Sequence, residues 1–257
     1  MPDASISFSQ YQMWKNCPFR WKLNYVDGLR TYDPSIATLF GTAMHEVLQS
    51  YVDTLYTKTV KLANELPLED MLKEKMYSLY SELLEKNEGV HFSNSSELAE
   101  YYLDGVEIIK WFRAHREVFF MKKDWELVGI ELPIDVIPVE THPTVKLVGF
   151  LDLVMKHTPT GKLVIYDFKT SKGGWGKYAK ADKVKVSQLV LYKTFYSRQF
   201  DVNPDDISVE YLILKRKINE DAEYSAMKRR IQRFEPPHGK VSQNQILKEV
   251  TTFVTTN

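Results

Sequence analysis

Cysteine is almost absent from this chain of 257 residues, which contains only Cys17. A single cysteine cannot form an intramolecular disulfide, and it cannot supply the four thiolates of an all-cysteine metal cluster. Low cysteine content also suits a reducing compartment. The composition therefore favours an intracellular protein over a disulfide-stabilised secreted one.

Long hydrophobic runs are missing as well. The sequence contains no run of about 18 apolar residues of the kind that a transmembrane helix needs, and residues 1–15 lack the apolar core of a signal peptide. A hydrophobic content of 44% with 26% charged residues is typical of globular proteins in solution. We therefore expect a soluble intracellular protein without a membrane partner.

The chain also lacks net charge, since 34 Lys and Arg balance 34 Asp and Glu. The charges are distributed unevenly, however. Residues 162–185 carry seven lysines against two aspartates, residues 215–233 carry seven basic side chains against three acids, and residues 64–126 carry fourteen acids against eight bases. Because attraction to phosphate is screened over roughly 8–10 Å, local charge matters more than the total. The balanced total is thus compatible with a basic face that binds nucleic acid.

The order of predicted elements indicates an α/β fold. Apolar residues at helical spacing predict helices over 6–25, 35–56, 67–87, 95–121, 183–200 and 242–257. Runs rich in Val, Ile, Leu and aromatic residues predict strands over 125–137, 144–157, 162–172 and 206–217 and within 226–237. This order predicts a central mixed β-sheet flanked by helices. We expect one domain over residues 1–257, with the acidic helical residues 57–124 inserted in it.

Two aspartates and a lysine interrupt neighbouring predicted strands. Asp152 lies in the run GFLDLV, and Asp167 and Lys169 lie in IYDFKTS, after a Pro/Gly turn. Residues two apart on a strand share a face, and the turn places Asp152 opposite Asp167 within about one register step. Two such carboxylates are destabilising unless a cation joins them or one is protonated. The hairpin therefore predicts a hard divalent cation with oxygen ligands, such as Mg²⁺.

Each chemically interesting residue also has a purely structural interpretation. An Asp and a Lys two apart on a strand commonly form a half-exposed ion pair. His45, on an apolar helix, is by itself more typical of a core or boundary position. The same holds for Gln188 and Tyr192, which lie four apart on one helical face. Their joint occurrence in this order favours a functional site.

Five motifs occur along residues 5–200 in the order SxSQYxxWxxCPxRWKLxY, GTAMHEVL, GFLDLV, IYDFKTSK and QLVLYK. Together they resemble the PD-(D/E)XK nuclease superfamily, and specifically its RecB-like branch. That branch includes phage and recombination exonucleases and the CRISPR-associated adaptation nucleases. The resemblance implies a restriction-endonuclease-like core and metal-dependent hydrolysis of DNA.

The resemblance also implies roles for individual residues. The metal-binding histidine of the family falls on His45, its two acids fall on Asp152 and Asp167, and its lysine falls on Lys169. With the main-chain carbonyl of Phe168, the histidine and the acids would hold Mg²⁺ or Mn²⁺.

Three further positions match the family beside this set. Gln188 and Tyr192 match a Q-x-x-x-Y signature that holds the lysine or the substrate strand, so we include both among the catalytic residues. Glu131 matches an additional acid on the strand before the hairpin. Its structural alternative is a solvated glutamate at a strand edge.

One departure from the family concerns iron–sulfur clusters. Members with a cluster use one cysteine in a context like Cys17-Pro18 and three more near the C-terminal end, where this sequence has none. We therefore expect no iron–sulfur cluster, and we expect Cys17 to be a small buried apolar residue. The N-terminal aromatic residues are then predicted to pack in the core: Phe8, Tyr11, Trp14, Phe19, Trp21 and Tyr25.

The lysine-rich residues after the second aspartate are candidates for contact with DNA. Lys172, Lys177 and Lys180 would line the path of the phosphate backbone. Trp175 and Tyr178 would stack on bases or wedge a strand end. The alternative is a flexible, solvated loop.

The sequence thus predicts a Mg²⁺- or Mn²⁺-dependent deoxyribonuclease, most simply an exonuclease acting on single- or double-stranded DNA ends. By family analogy it would be a stand-alone cytoplasmic enzyme of recombination, repair or phage DNA metabolism. Two alternatives stay open: a structure-selective endonuclease, and a catalytically idle DNA-binding or assembly protein on the same fold. The sequence does not determine polarity, strand preference or oligomeric state.

Overall fold

Six strands form the central sheet of the computed structural model, which describes residues 4–30 and 32–256. They are β1 (Ala4–Ile6), β2 (Trp125–Val136), β3 (Val145–His157), β4 (Leu163–Ser171), β5 (Ile207–Lys215) and β6 (Ile231–Phe234). The predicted α/β class, with a mixed sheet flanked by helices, is confirmed. Strand β1 was not predicted, because three residues are too short a run for a period-2 pattern to show.

Helices cover both faces of the sheet. In the described part of the chain the α-helices are α1 (Phe8–Asn16), α2 (Pro18–Trp21), α3 (Ile36–Thr57), α4 (Val60–Glu65), α5 (Leu68–Lys86), α6 (Ser95–His115), α7 (Lys177–Ala181), α8 (Lys183–Gln199) and α9 (Lys240–Thr255). A π-helical turn (Lys22–Val26) follows α2, and short 3-10 turns occur at Arg116–Val118, Pro204–Asp206 and Ser225–Lys228. None of these helices combines the length and the hydropathy needed to cross a lipid bilayer.

Strand β3 organises the sheet. Strand β2 lies antiparallel along one edge of β3, from Trp125–His157 to Val136–Leu147. On the other edge β3 pairs with β1 in parallel and with β4 antiparallel. Strand β4 then pairs in parallel with β5, and β5 pairs antiparallel with β6. A parallel pair needs a crossover connection, which α7 and α8 supply between β4 and β5.

The two strands of the predicted hairpin are paired only near their turn. Their ladder runs from Lys156–Leu163 to Leu153–Tyr166. The next positions outward are Asp152 and Asp167, which the same register places opposite each other, as the sequence predicted. Farther along β3, the same edge is occupied by β1 instead of β4. The strands therefore separate at the two aspartates, and we call this place the β3–β4 fork.

Each face of the sheet has its own hydrophobic core. One core joins α1, α8 and α9 to the side chains of Ile165 and Ile213. The other joins α3, α5 and α6 to Phe168 and Leu212. Adjacent residues of β4 and β5 thus serve opposite cores, as the pleat requires. The helices α4–α6 share the second core with α3, and their status as an insertion into a single nuclease domain stays a prediction.

The prediction of a single N-terminal helix over residues 6–25 is wrong. Proline disfavours helical backbone in the residue before it, and Cys17 before Pro18 is extended, with φ −160° and ψ 99°. The chain therefore forms α1, capped by the Ser7 side chain, and then α2. Cys17 caps α2 and is exposed, so its predicted burial is also wrong.

The predicted aromatic core of this segment is correct only in part. Phe8, Tyr11 and Trp21 are buried, but Phe19 is 67% exposed.

Gly105 of α6 allows this helix to pack closely on α3 and α5. A Cβ atom at Gly105 would lie 2.4 Å from Leu72 Cδ2 and 3.0 Å from Phe40 Cε2. Both neighbours are fully buried, so they have little room to move. Only glycine leaves space for these side chains at this position.

Gly105→Val is therefore expected to destabilise the protein. Overpacking of a tight core typically costs about 1–3 kcal/mol, and urea denaturation would measure the loss. Ala114→Val, at an exposed position of the same helix, is the control for the low helix propensity of valine and should cost under about 1 kcal/mol. Equal losses in the two variants would contradict tight packing at Gly105.

Candidate functional site

Asp152 occupies the β3 side of the fork. Its Oδ2 atom accepts a hydrogen bond from the main-chain N–H of Phe168 at 2.8 Å, so the carboxylate satisfies a β4 donor just beyond the end of the ladder. The same oxygen lies 3.3 Å from His45 Nδ1. The side chain of Asp152 is thus fixed both to β4 and to α3.

Asp167 and Lys169 occupy the β4 side. Asp167 is only 2% exposed, and its Oδ1 accepts a hydrogen bond from Lys169 Nζ at 3.1 Å. Lys169 Nζ also lies 2.8 Å from Asp167 Oδ2, but not in hydrogen-bonding geometry. Asp167 Oδ2 therefore has no hydrogen-bond donor among the described residues, although it is fully buried. Beyond this ion pair, Oδ2 keeps lone pairs that can bind a further ligand.

Helix α3 contributes two polar side chains to the site, at positions four residues apart. His45 lies against the fork, with its ring centroid 5.8 Å from that of Phe168. Gln49 is buried and donates through Nε2 to the Asp152 carbonyl at 3.1 Å and to Glu131 Oε1 at 2.7 Å. Gln49 was not predicted as a site residue, although it lies four residues after His45 on the same apolar helix, a spacing that places both on one helical face.

Glu131 has an unusual backbone conformation for its residue type. Its φ is +48°, in the left-handed region that residues with a side chain rarely adopt. It lies on β2 at the position across from Asp152, and its hydrogen bond from Gln49 fixes its carboxylate to α3. The predicted acid of the preceding strand therefore lies beside the fork, but it is exposed.

Burial changes the acid–base properties of the fork. It raises the pKa of Asp167 to about 6, with the Lys169 ammonium opposing the change and the Asp152 charge reinforcing it. Burial likewise raises the pKa of Asp152 to about 6, again opposed by Lys169. Burial alone would lower the pKa of Lys169, but the charges of Asp167 and Asp152 outweigh it and the pKa is raised. The pKa of His45 is lowered by burial, which favours its neutral, metal-binding form.

The donor set at the fork is chemically suited to a hard divalent cation. It offers the carboxylates of Asp152 and Asp167 and the neutral imidazole of His45, and one oxygen of Asp167 accepts no hydrogen bond. Within residues 4–30 and 32–256, no group of three His, Cys, Asp or Glu side chains is close enough to hold a metal ion by itself. A cation here would need oxygen atoms beyond these side chains to complete its coordination.

Gln188 and Tyr192 lie on α8, on the other face of the sheet from α3. Gln188 Nε2 donates to the Tyr192 hydroxyl at 3.3 Å, and Tyr192 is buried. The Tyr192 ring packs directly on Gly149 of the GFLD motif, where a Cβ atom would lie 3.1 Å from ring atom Cε1. Burial raises the pKa of Tyr192 to about 12, so its hydroxyl keeps its proton near neutral pH.

The loop after β4 is held in place by specific hydrogen bonds. The side chain of Gln232 accepts from the Trp175 N–H at 2.7 Å and donates to the Trp175 carbonyl at 3.1 Å. Trp175 is buried against Tyr211, so in this conformation its ring is not accessible to a base. This placement contradicts the prediction that Trp175 stacks on bases of the DNA. Tyr178 is 92% exposed, and Lys172 and Lys177 are exposed on the same segment.

Comparison with known proteins adds one positive finding. The model of a protein family described as the PD-(D/E)XK nuclease superfamily matches residues 5–252, which is nearly the whole chain. Among curated proteins, none matches the chain.

Asp152→Asn is expected to stabilise the metal-free protein at alkaline pH. With a folded pKa of about 6 against an ordinary value of 3.8, the folded state binds more protons between about pH 4 and 6. Stability is therefore lost as the pH rises through this window and stays lower above it. One pKa unit corresponds to about 1.4 kcal/mol, so the net shift of about two units gives an upper limit of about 3 kcal/mol. Because the asparagine amide is itself a polar group at this partly buried place, we expect a gain of about 1–2 kcal/mol.

Thermal unfolding in EDTA would measure this gain as a rise in Tm of about 2–8 °C at pH 8, shrinking toward zero at pH 4. Asp135→Asn, at a position of β2 whose side chain is 53% exposed, is the control and should change stability by less than about 0.5 kcal/mol. A lower Tm for Asp152→Asn at pH 8 would show that the buried charge does not destabilise the fold.

Proposed function

The chain belongs to the PD-(D/E)XK nuclease superfamily, and from this premise we propose that it is a metal-dependent deoxyribonuclease whose active site is the β3–β4 fork. The observation that carries the proposal is the buried carboxylate of Asp167. It lies beside Lys169 and the second raised-pKa carboxylate, Asp152, and one of its oxygens has no donor. Perturbed, buried ionisable groups in such a cluster are typical of catalytic sites.

The proposed metal ligands are Asp152, Asp167, His45 and the main-chain carbonyl of Phe168. Water would complete the coordination, since Mg²⁺ usually binds one or two carboxylates and keeps several waters. Bound Mg²⁺ or Mn²⁺ would polarise the phosphate as a Lewis acid and would lower the pKa of a bound water molecule. Glu131 is a further candidate, held toward the fork by Gln49.

The proposed role of Lys169 is to position the reacting groups. Its ammonium lies within about 3 Å of both Asp167 oxygens, as the 2.8 and 3.1 Å distances show, and its raised pKa keeps it charged. A charged donor at this place would bind a non-bridging phosphate oxygen or the attacking water. It would also stabilise the negative charge that develops on the phosphate.

Gln188 and Tyr192 would form the wall of the active site on the side of α8. The Tyr192 ring packs on Gly149, three residues before Asp152, and the Tyr192 hydroxyl accepts the hydrogen bond from Gln188. We propose that this pair positions the substrate strand or the β3 side of the fork. Lys172, Lys177, Lys180 and Tyr178 would contact the DNA that leaves the site.

We further place the chain in the RecB-like branch and favour an exonuclease of recombination, repair or phage DNA metabolism. The support is the order and spacing of the five sequence motifs. An endonuclease or a catalytically idle binding protein on the same fold are the alternatives. An idle binding protein would gain nothing from two carboxylates, one buried and one partly buried, that have raised pKa values and repel phosphate.

Digestion of end-labelled linear and closed circular DNA with Mg²⁺ or Mn²⁺ would test this proposal. We expect loss of label from linear DNA while closed circles stay intact. Lys169→Met should reduce cleavage by about 100-fold or more, because a preorganised charged group at the reacting centre is lost. Lys162→Met, at an exposed position in the turn before β4, should retain activity.

Cleavage of circles would favour the endonuclease. DNA binding without cleavage by the wild type, in either metal, would favour the idle protein. Unchanged activity of Lys169→Met would refute the assignment of the fork as the active site.

Metal binding should also stabilise the fold. A ligand that binds only the folded state at 100 times its Kd adds about 2.7 kcal/mol to the free energy of unfolding. We expect Mn²⁺ to raise the Tm of the wild type and of Asp135→Asn, and to have little effect on Asp152→Asn. An equal rise in all three proteins would place the bound metal elsewhere.

A further inference from the structure

A cavity of about 390 Å³ opens at β6, the last strand in the sheet order. This volume lies within the roughly 300–1,000 Å³ of typical ligand sites. Its wall is formed by the end of α6 and the turn that follows, by α7 and by the β5–β6 connection. It is separate from the fork, and no residue assigned to the metal lines it.

The cavity has a strongly cationic wall. Lys180, Lys215, Arg229 and Arg233 line it, and no carboxylate does. Arg233 is paired with Glu210 at 2.5 Å. Lys215 Nζ contacts only the Met227 carbonyl, at 3.1 Å, and within the described ranges neither Lys215 nor Arg229 has an ion pair. The wall thus carries positive charge that the protein does not neutralise, which favours an anionic ligand.

The lining also contains an aromatic cluster at the end of α6. Trp111 and His115 are stacked, with ring centroids 4.2 Å apart and planes 14° apart, and Phe119 meets Trp111 edge-on at 5.9 Å. His115 is exposed, so the stack can accept a further planar group. Aromatic faces together with cationic side chains are the combination with which proteins bind the bases and phosphates of single strands.

The cavity neighbours the end of the catalytic strand and the loop that follows it. Lys215 pairs with Ser171, two residues after Lys169, and Gln232 of the cavity wall holds Trp175 in the loop that follows β4. Strand β6 lies two strands from β4, a separation of about 10 Å. A nucleic-acid strand that is cleaved at the fork could therefore continue into the cavity.

We propose that this cavity is a nucleotide-binding subsite, which takes a phosphate and a base of the substrate strand beyond the scissile bond. The proposal rests on the proposed nuclease function and extends it to a second place of contact. The cationic wall binds the phosphate, and the Trp111–His115 stack accepts the base. Such a subsite makes the enzyme depend on strand length, because shorter strands cannot reach from the fork to β6.

Equilibrium binding of labelled oligothymidylates of roughly 4 to 16 nucleotides, followed by fluorescence anisotropy in EDTA, tests the subsite without cleavage. Arg229→Glu and Lys180→Glu replace surface cations of the cavity wall and should weaken binding of the longer strands by tenfold or more. Each should also reduce the slope of log K against log salt by about one, as expected for one lost phosphate contact. Lys248→Glu, an exposed lysine of α9 outside the cavity, makes the same charge change as a control.

The base contact has its own test. An abasic strand of the same length should bind the wild type roughly 5- to 150-fold more weakly than the thymidylate strand. In His115→Ala this difference should shrink, while the salt dependence stays unchanged. Circular dichroism and Tm of each variant verify that the fold is intact.

Three results would overturn the subsite. One is equal weakening by Arg229→Glu and Lys248→Glu, which indicates only a general charge effect. Another is equal affinity for short and long strands in wild type and variants. The third is a combined result, in which neither dTMP nor inorganic phosphate displaces the strand, yet dTMP binds saturably and Arg229→Glu abolishes this binding. That result indicates a site for free nucleotide. Because binding is measured without metal, loss of strand binding in the variants supports the subsite even if the wild type cleaves no DNA.

Discussion

The structure depends on the separation of β3 from β4 at Asp152 and Asp167. The hairpin turn fixes their register, and β1 takes the place of β4 beside β3 farther along. At the fork the Asp152 carboxylate accepts a main-chain N–H of β4, and Asp167 is left with a buried oxygen that lacks a donor. Two carboxylates with raised pKa values are a cost to the fold, which the single ammonium of Lys169 offsets only in part. A destabilising pair of carboxylates is typical of a site that binds a cation, because the cation compensates their repulsion.

Helices on both faces hold the fork in this arrangement. On one face α3 brings His45 to the Asp152 carboxylate, and Gln49 ties the Asp152 carbonyl to Glu131. On the other face Tyr192 of α8 packs on Gly149. The catalytic strand continues into a loop that Gln232 fastens to β6, next to the cationic and aromatic cavity. The proposed active site and the proposed strand contact thus lie on one sheet, with β6 two strands from β4.

Much of this arrangement follows from the sequence, and the exceptions have physical reasons. Period-2 runs and a Pro/Gly turn predicted β3, β4 and the opposition of Asp152 and Asp167, because these are local properties. Helical spacing predicted α3 and α8 and placed His45 on α3. The burial of Trp175 and the role of Gln49 depend on partners such as Gln232 and Glu131, which are distant along the chain, and no local pattern reports such contacts. Cys17 is exposed where the chain breaks between α1 and α2, because Pro18 disfavours helical backbone in the residue before it.

We propose the fork as a divalent-cation site made of two protonatable carboxylates. Calorimetric titration of the metal-free protein with Mn²⁺ at pH 6, in buffers of different ionisation enthalpy, tests it most directly. We predict one saturable binding event that releases protons, since carboxylates with pKa values of about 6 are partly protonated at that pH and must lose the proton to bind metal. Asp167→Asn should abolish both the binding and the proton release. Undiminished Mn²⁺ binding by Asp167→Asn, or binding by the wild type without proton release, would contradict the account.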